Sequence, residues 1–220
     1  MKIIAFGNSR YKRIAHNWAL YLHRHGIENY TIYSLDQDIY DYLVKNKINT
    51  ELLPLDIFEE GDHLWNWRER LKFIFKLLNE GINVLHSDLD AVWLHNPLSL
   101  IESEYDIVAS TGTFPKDVYK EVGYTLCMGW IYYKSSTIVK KLFQNVIHGN
   151  THENFDDQRE MNRELFNNSK YKELKLKILD QTIISRGQPY NENTYVAHPL
   201  SGKNVDREAF LKNKNLWILE

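Results

Sequence analysis

Segments with strand character and segments with helix character alternate along the first 86 residues, and this alternation constrains the fold more than any other feature. Short apolar runs predict strands over residues 2–6, 30–35, 52–55 and 82–86. Apolar residues at helical spacing predict helices over residues 10–25, 36–45 and 65–79. Because parallel neighbours need crossover connections, the pattern favours an α/β fold with a Rossmann-type, mostly parallel central sheet flanked by helices.

The character of the chain changes after residue 90, where the alternation is no longer regular. Strands are expected over residues 105–110, 126–133, 174–179 and 195–198, and helices over residues 137–146 and 156–166. Residues 111–124 are expected to form a loop. We therefore predict a single domain over residues 1–220, with a nucleotide-binding α/β half over 1–97 and a mixed α+β half over 98–220.

Composition and charge are those of an ordinary globular protein. Of the 220 residues, 43% are hydrophobic and 25% are charged, and the net charge of -2 gives no argument for nucleic acid or an anionic membrane as a partner. The single cysteine, Cys127, excludes an intrachain disulfide. The N-terminal apolar run is shorter than a signal-peptide core or the ~20 residues of a membrane span. We expect a soluble cytosolic protein without a transmembrane segment.

Asp88 and Asp90 follow the predicted strand over 82–86 and are separated by one residue. Ligands of open α/β sheets bind at the carboxyl ends of the strands. Hard divalent ions such as Mg²⁺ and Mn²⁺ take carboxylate oxygens together with substrate phosphates. Alternate residues of an extended chain face opposite ways, so the two carboxylates converge on one ion only if the chain turns there. The sequence predicts a metal site for a nucleotide diphosphate, with solvated or capping aspartates as the alternative.

The residues around this pair resemble the signature of the nucleotide-diphospho-sugar transferase family, which includes plant rhamnogalacturonan xylosyltransferases. The matching stretch is Val84-Leu85-His86-Ser87-Asp88-Leu89-Asp90-Ala91-Val92-Trp93-Leu94-His95-Asn96-Pro97-Leu98. Weaker similarities lie at Asn17-Trp18, Leu35-Asp36, Met128-Gly129, Asp157-Gln158 and His198 with Gly202-Lys203. The resemblance implies a GT-A fold and metal-dependent transfer of a sugar with retention of anomeric configuration. It also implies a UDP-sugar donor and a carbohydrate acceptor, which the second half of the chain would bind.

The same resemblance implies further contacts to the metal and the diphosphate. His198 would be a third metal ligand beside Asp88 and Asp90, and a mixed Asp and His set suits Mn²⁺ better than Mg²⁺. In GT-A folds the second aspartate meets both metal and phosphates, so Asp90 is expected to coordinate directly and Asp88 to reach the ribose or a water at the metal. Gly202 and Lys203 would contact the leaving diphosphate. The alternatives are an ordinary core or surface histidine and a plain surface turn.

Nucleoside and donor contacts are implied at three further places. Gly7-Asn8-Ser9 follows the first strand, where a nucleoside lies in such sheets, with a loop of no binding role as the alternative. Asp36 would reach the nucleoside or cap the helix that it precedes. Arg70 matches a basic family position and would pair with the donor phosphate or with Asp88 or Asp90, the alternative being a solvated helix face.

Asp157 and Gln158 are the expected catalytic residues. Asp156-Asp157-Gln158 opens a predicted helix, and one of the two aspartates is expected to cap it. The resemblance places Asp157-Gln158 under the anomeric carbon of the donor, where a carboxylate or amide stabilises oxocarbenium character or contacts the acceptor. Whether Asp157 acts as a nucleophile stays open, because a front-face mechanism needs none.

Two other functions fit parts of the sequence. An apolar strand followed by Asp-x-Asp-x-Val also occurs in metal-dependent phosphohydrolases of the haloacid-dehalogenase type, although there the motif belongs to the leading strand. An inactive binder of sugar nucleotides would need a damaged metal clamp, whereas Asp88, Asp90 and His198 are all present. By analogy, a small transferase without an anchor indicates a bacterial or viral setting.

Overall fold

The computed structural model describes residues 1–53, 67–149, 155–187, 189–199 and 205–220. Contacts between residues divide the chain into two compact units, each assembled from segments that are separate in sequence. Unit 1 contains Met1–Lys2, Asp56–His86 and Ile101–Leu179, and unit 2 contains Ile3–Leu55, Ser87–Leu100 and Asp180–Glu220. The division of the chain into two halves at residue 97 stays a prediction.

Unit 2 contains a set of parallel strands with two connecting helices. The strands are β1 (Lys2–Gly7), β2 (Tyr30–Ser34) and β3 (Thr50–Leu52), and the helices are α1 (Lys12–Arg24) and α2 (Gln37–Lys45). The strand order is β3-β2-β1, and both pairings are parallel. All of β2 and all of β1 after its first residue are buried, which explains why both read as continuous apolar runs rather than as alternating patterns.

A small second sheet completes unit 2. Its strands are β5 (Val92–Trp93), β9 (Ile184–Arg186) and β10 (Val196–His198), in the order β5-β10-β9. The central strand β10 is antiparallel to β5 and parallel to β9. A short helix, α7 (Arg207–Asn213), follows near the C-terminus.

Unit 1 combines strands in the order β4-β7-β6-β8 with helices that cover them. The strands are β4 (Val84–Ser87), β6 (Ile107–Gly112), β7 (Thr125–Tyr133) and β8 (Leu176–Leu179). The helices are α3 (Trp67–Asn79), α4 (Lys116–Val122), α5 (Thr137–Gly149) and α6 (Asp157–Phe166). β6 pairs in parallel with β8 and antiparallel with β7, and a register shift between Ala109 and Ser110 interrupts the second pairing. Within the described chain, no helix combines the length and the apolar character needed to cross a bilayer.

Most predicted elements are confirmed to within a few residues, and the mostly parallel pairing confirms the predicted α/β fold. The predicted loop over 111–124 is wrong, because it contains α4. Val118 is the single buried residue of this helix, so the sequence has no apolar stripe that would predict a helix here. Gly123 ends the helix in the left-handed conformation, with φ of 87°.

The two strands that the sequence analysis missed, β5 and β9, have two and three residues, too few for a recognisable period. Parts of two predicted elements, residues 54–55 of a strand and 65–66 of a helix, lie outside the described residues.

Asn17 attaches the C-terminal segment to α1 within unit 2. Its fully buried side chain donates from Nδ2 to the carbonyl of Leu216 at 3.0 Å. Its Oδ1 accepts from the backbone N–H groups of Ile218 at 2.7 Å and Leu219 at 3.3 Å. Because a buried amide is costly unless it is hydrogen-bonded, these contacts hold the end of the chain in one place.

Replacing Asn17 with alanine is expected to lower the free energy of unfolding by about 2–3 kcal/mol, because one buried carbonyl and two partly buried N–H groups lose their partner. Urea denaturation followed by circular dichroism measures the change. The control is Asn46→Ala, which removes one exposed hydrogen bond to the carbonyl of Tyr42. Its expected cost is below about 1 kcal/mol. Equal losses for the two variants would contradict the prediction.

Candidate functional site

The chain turns immediately after β4, at the aspartate pair. The N–H of Ala91 donates to the carbonyl of Asp88 at 3.0 Å, and Leu89 and Asp90 lie in the turn. In an extended strand the two carboxylates would point to opposite faces. The turn removes this alternation and supplies the geometry that the predicted metal site requires.

Ser87 connects this turn to two fully buried tryptophans of the same unit. Its Oγ accepts from the indole N–H of Trp18 at 3.3 Å and of Trp93 at 3.1 Å, and donates to the carbonyl of Asp88 at 3.2 Å. The two indole rings meet edge to face, with centroids 6.1 Å apart and planes at 79°. The serine and tryptophan of the signature therefore hold the backbone that presents the acidic pair.

The register of β10 on β5 brings His198 to the turn. Val196 is aligned with Trp93 and Ala197 with Val92, so His198 is the next residue along the pairing.

The imidazole of His198 faces both carboxylates. Its Nε2 lies 3.4 Å from Oδ1 of Asp90 and 3.7 Å from Oδ2 of Asp88. One potential ligand atom from each of the three residues lies within 4.8 Å of the other two. Two carboxylates and an imidazole are donors that divalent transition-metal ions accept, so this cluster could hold a metal ion.

Asp90 is the more buried of the two aspartates, with 11% of its side chain exposed against 32% for Asp88. The guanidinium of Arg207 donates from Nη1 to Oδ2 of Asp90. Burial raises the pKa of Asp90, but the hydrogen bond and charge of His198, together with the charge of Arg207, outweigh burial and lower this pKa below its ordinary value. The carboxylate is therefore held in its charged form.

Arg207 is the residue of this site that the sequence analysis missed. It is the first residue of α7, whose N-cap Asp206 accepts from the N–H groups of Glu208 at 3.0 Å and Ala209 at 3.1 Å. The capping aspartate is a local signal for the start of the helix. No local pattern connects Arg207 with Asp90, which lies 117 positions earlier in the chain.

The Gly7-Asn8-Ser9 loop begins at the last residue of β1 and packs against the aspartate turn of the same unit. A Cβ atom at Gly7 would lie 2.7 Å from Cδ1 of Leu89, so glycine permits this close approach. The side chain of Asn8 accepts from the N–H of Arg10 at 3.2 Å and starts a 3₁₀ turn.

Asp36 joins this loop to α2. Its Oδ2 accepts from the N–H of Ser9 at 2.7 Å, and its Oδ1 accepts from the N–H of Ile39 at 3.0 Å. Of the two roles predicted for Asp36, helix capping is confirmed, and contact with a nucleoside stays a prediction.

Arg70 and Asp157 form a buried ion pair within unit 1. Arg70 donates from Nε to Oδ2 of Asp157 at 2.7 Å and from Nη2 to the same oxygen, and the two side chains are 6% and 5% exposed. Asp157 also accepts the N–H of Gln158 on Oδ1 at 2.8 Å. Asp157 is thus one partner of Arg70 in the structure, and the expected contact of Arg70 with the donor phosphate or with Asp88 or Asp90 stays a prediction.

Gln158 links α6 to two other segments of unit 1. Its Nε2 donates to the carbonyl of Phe114 at 2.8 Å, and its Oε1 accepts from the N–H of Met128 at 3.3 Å. The preceding Asp156 accepts from the N–H of Arg159 at 2.8 Å, which confirms that one of the two adjacent aspartates caps the helix. Gly202 and Lys203, the remaining predicted site residues, lie outside the described part of the chain.

The family model described as nucleotide-diphospho-sugar transferase matches residues 25–205, which is more than half of the chain. The chain belongs to the nucleotide-diphospho-sugar transferase family. The match includes the aspartate pair and His198, whereas the Gly7-Asn8-Ser9 loop precedes it.

A curated relative of this chain is distant in sequence. The beta-arabinofuranosyltransferase RAY1 of Arabidopsis thaliana is 24% identical over 110 residues, which cover 46% of this chain and 20% of the plant protein. The chain therefore matches about a fifth of that relative's length.

Solved structures identify the fold of the chain. The galactosyltransferase LgtC, solved with donor and acceptor sugar analogs, superposes with a TM-score of 0.60 at 13% identity, covering 100% of this chain and 97% of LgtC. The glycosyltransferase GlyE of Streptococcus pneumoniae gives a TM-score of 0.52 at 19% identity, covering 82% of this chain and 45% of GlyE. These similarities confirm the predicted GT-A fold.

Asp157→Asn is expected to lower the free energy of unfolding by about 3–5 kcal/mol, because the buried guanidinium of Arg70 loses the carboxylate charge that it contacts. The matched control is Asp117→Asn, which breaks an exposed ion pair with Arg163 whose atoms lie 2.9 Å apart. Its expected cost is below about 1 kcal/mol. Chemical denaturation measures both, and a loss for Asp157→Asn no larger than that of the control would refute the structural role of the buried pair.

Proposed function

We propose that the protein transfers a sugar from a nucleotide diphosphate donor, a UDP-sugar, to a hydroxyl group of a glycan acceptor, with the help of a divalent metal ion and with retention of configuration. The convergence of Asp88, Asp90 and His198 on one point at the end of β4 carries this proposal. The family and the fold supply the reaction class, and they give no support to the haloacid-dehalogenase alternative.

The donor atoms of the site fit Mn²⁺ better than Mg²⁺, because an imidazole joins the two carboxylates. Asp90 and His198 would hold the ion directly, and Asp88, which is more exposed, would reach the ribose of the donor or a water at the metal. When bound, the ion would neutralise negative charge on the departing diphosphate. Gly202 and Lys203 are proposed as further diphosphate contacts on the strength of the family resemblance.

The nucleoside is proposed to lie along the Gly7-Asn8-Ser9 loop, at the carboxyl end of β1. This loop touches the aspartate turn at Leu89, and Asp36 fixes its backbone through the N–H of Ser9. A loop held from two directions offers a preformed surface to a ligand, which reduces the entropy lost on binding.

Asp157 and Gln158 are proposed to act at the transfer step, and their surroundings indicate different duties. Asp157 shares its Oδ2 with Arg70, so its charge is already neutralised, which favours a positioning role over nucleophilic attack. Gln158 presents an amide held by the Phe114 carbonyl and the Met128 N–H. A solved active-site mutant of LgtC carries Glu in place of Gln. A glutamine therefore lies in the active site of that neighbour, which supports the role proposed for Gln158.

Isothermal titration calorimetry with UDP tests the metal site. The wild type is expected to bind UDP at least about tenfold more tightly with Mn²⁺ than without it, and Asp90→Asn is expected to lose this difference. The isosteric control is Asp38→Asn, at an exposed aspartate of the same unit that pairs with Lys12. It is expected to behave like the wild type. UDP affinity that does not change in Asp90→Asn would exclude the metal role of Asp90.

Release of UDP from a panel of sugar nucleotides tests the transfer step and identifies the donor. The names of two similar proteins, a galactosyltransferase and a beta-arabinofuranosyltransferase, justify including hexose and pentose donors. With the best donor, Gln158→Ala is expected to lower kcat by about 10²-fold with little change in UDP affinity, because the amide aligns reacting groups. Gln37→Ala, on the exposed face of α2, is the control. A wild type that binds UDP and Mn²⁺ but releases nothing from any donor would indicate an inactive binder.

A further inference from the structure

Arg207 shares Asp90 with the proposed metal ion. Its Nη1 donates to Oδ2 of Asp90, while Oδ1 of the same carboxylate faces Nε2 of His198 at 3.4 Å. The guanidinium also lies over the ring of Tyr11, with Cζ 5.4 Å from the ring centroid. One cation therefore already neutralises the acidic residue on which a second cation is expected to bind.

The backbone that carries Arg207 is fixed. Asp206 caps α7, and Glu208 pairs with Arg13 of α1 at 2.9 Å. Leu211, one turn further along α7, is 1% exposed. The position of Arg207 beside Asp90 is thus a property of the folded unit and not of a loose chain end.

The surroundings of the guanidinium favour exchange between two partners. The side chain of Arg207 is 37% exposed, and a guanidinium has five N–H donors, of which the contact with Asp90 uses one. The phenol of Tyr11 is neutral at neutral pH, because the ordinary pKa of tyrosine is about 10. It therefore offers the guanidinium its ring face and no competing negative charge. Arginine pairs with phosphate through two parallel N–H groups, a stronger arrangement than a single contact to one carboxylate oxygen.

Charge balance then links the two ligands of the site. A divalent ion on Asp90 adds positive charge beside the guanidinium, and this repulsion opposes binding of the metal alone. A nucleotide diphosphate brings negative charge that attracts the guanidinium and relieves the repulsion. This inference rests on the metal site of the proposed function. We propose that Arg207 pairs with Asp90 while the site is empty and moves its guanidinium to the diphosphate when metal and nucleotide bind. This exchange would make the binding of metal and nucleotide cooperative.

The test compares Mn²⁺ affinity without and with saturating UDP, measured from the electron paramagnetic resonance signal of free Mn²⁺. In the wild type, UDP is expected to tighten Mn²⁺ binding by about tenfold or more, and Mn²⁺ must tighten UDP binding by the same factor. In Arg207→Gln, Mn²⁺ alone is expected to bind more tightly than in the wild type, and the coupling factor is expected to fall several-fold.

Arg24→Gln is the matched control, because it removes the same charge from an exposed arginine of the same unit whose guanidinium also lies over a tyrosine ring, that of Tyr21 at 5.6 Å. It is expected to keep the wild-type coupling. Arg207→Lys keeps the charge without the planar fork, and its coupling is expected to lie between those of the wild type and Arg207→Gln. It also provides the measurement if Arg207→Gln fails to fold, which thermal unfolding detects.

If the wild type binds both ligands cooperatively, two results would overturn this inference and leave the proposed function standing. The first is a coupling factor in Arg207→Gln equal to that of the wild type. The second is weaker binding of Mn²⁺ without UDP in that variant, which would mean that Arg207 only orients Asp90. Where Arg207→Lys serves instead, wild-type coupling in it would likewise overturn the exchange. A wild type that binds neither Mn²⁺ nor UDP would overturn the proposed function and this inference with it.

Discussion

The short antiparallel pairing of β10 with β5 is the contact on which the candidate metal site depends. Val196 and Ala197 are aligned with Trp93 and Val92, and this register delivers His198 to the aspartate turn. Because side chains alternate along a strand, a slip by one residue would point the imidazole to the opposite face. All four aligned side chains are buried, so the apolar contacts that fix the register also fix the position of a polar ligand.

Among the described residues, two buried carboxylates lie against arginine side chains, but the two pairs differ in exposure. Asp157 and Arg70 are both almost completely buried, so separating them would remove a counter-charge in a place that solvent does not reach. Asp90 is buried, whereas 37% of the Arg207 side chain faces solvent. A guanidinium with access to solvent can change partners at low cost, because water replaces the contacts that it leaves. Loss of one partner of the first pair is therefore expected to be costly, whereas the second pair is suited to exchange with a ligand.

The stretch around the aspartate pair contains residues that could bind a metal ion and residues that hold the backbone. Asp88 and Asp90 offer ligand atoms, whereas Ser87 and Trp93 hold the turn that presents them. The serine hydroxyl meets two indole N–H groups in a fully buried place, where an unpaired N–H would be costly. Trp18, which contributes the second indole, lies in the first helix, 69 positions before Ser87 in the sequence.

The sequence by itself determined the elements whose physical cause is local. The apolar run before Asp88 and the helical spacing of apolar residues in the first half predict the α/β fold. A strand or helix that is buried on one or both faces has apolar residues at the spacing of that element. Asp36 was correctly predicted as a possible helix cap, and one of Asp156 and Asp157 as another, because a cap bonds to N–H groups within three positions. His198 was predicted as a metal ligand only from the family resemblance, because a single histidine forms no sequence pattern that indicates metal binding.

The tertiary structure alone decided which distant charges meet. Arg207 reaches Asp90 across 117 positions, and Arg70 reaches Asp157 across 87. Charged residues on an amphipathic helix look alike in a sequence whether they face solvent or a buried partner. The choice between these is made by strand register and by the packing of helices, which involve segments from different parts of the chain. The helix α4 was not predicted for a different reason: only one of its residues is buried, so its sequence shows no helical period.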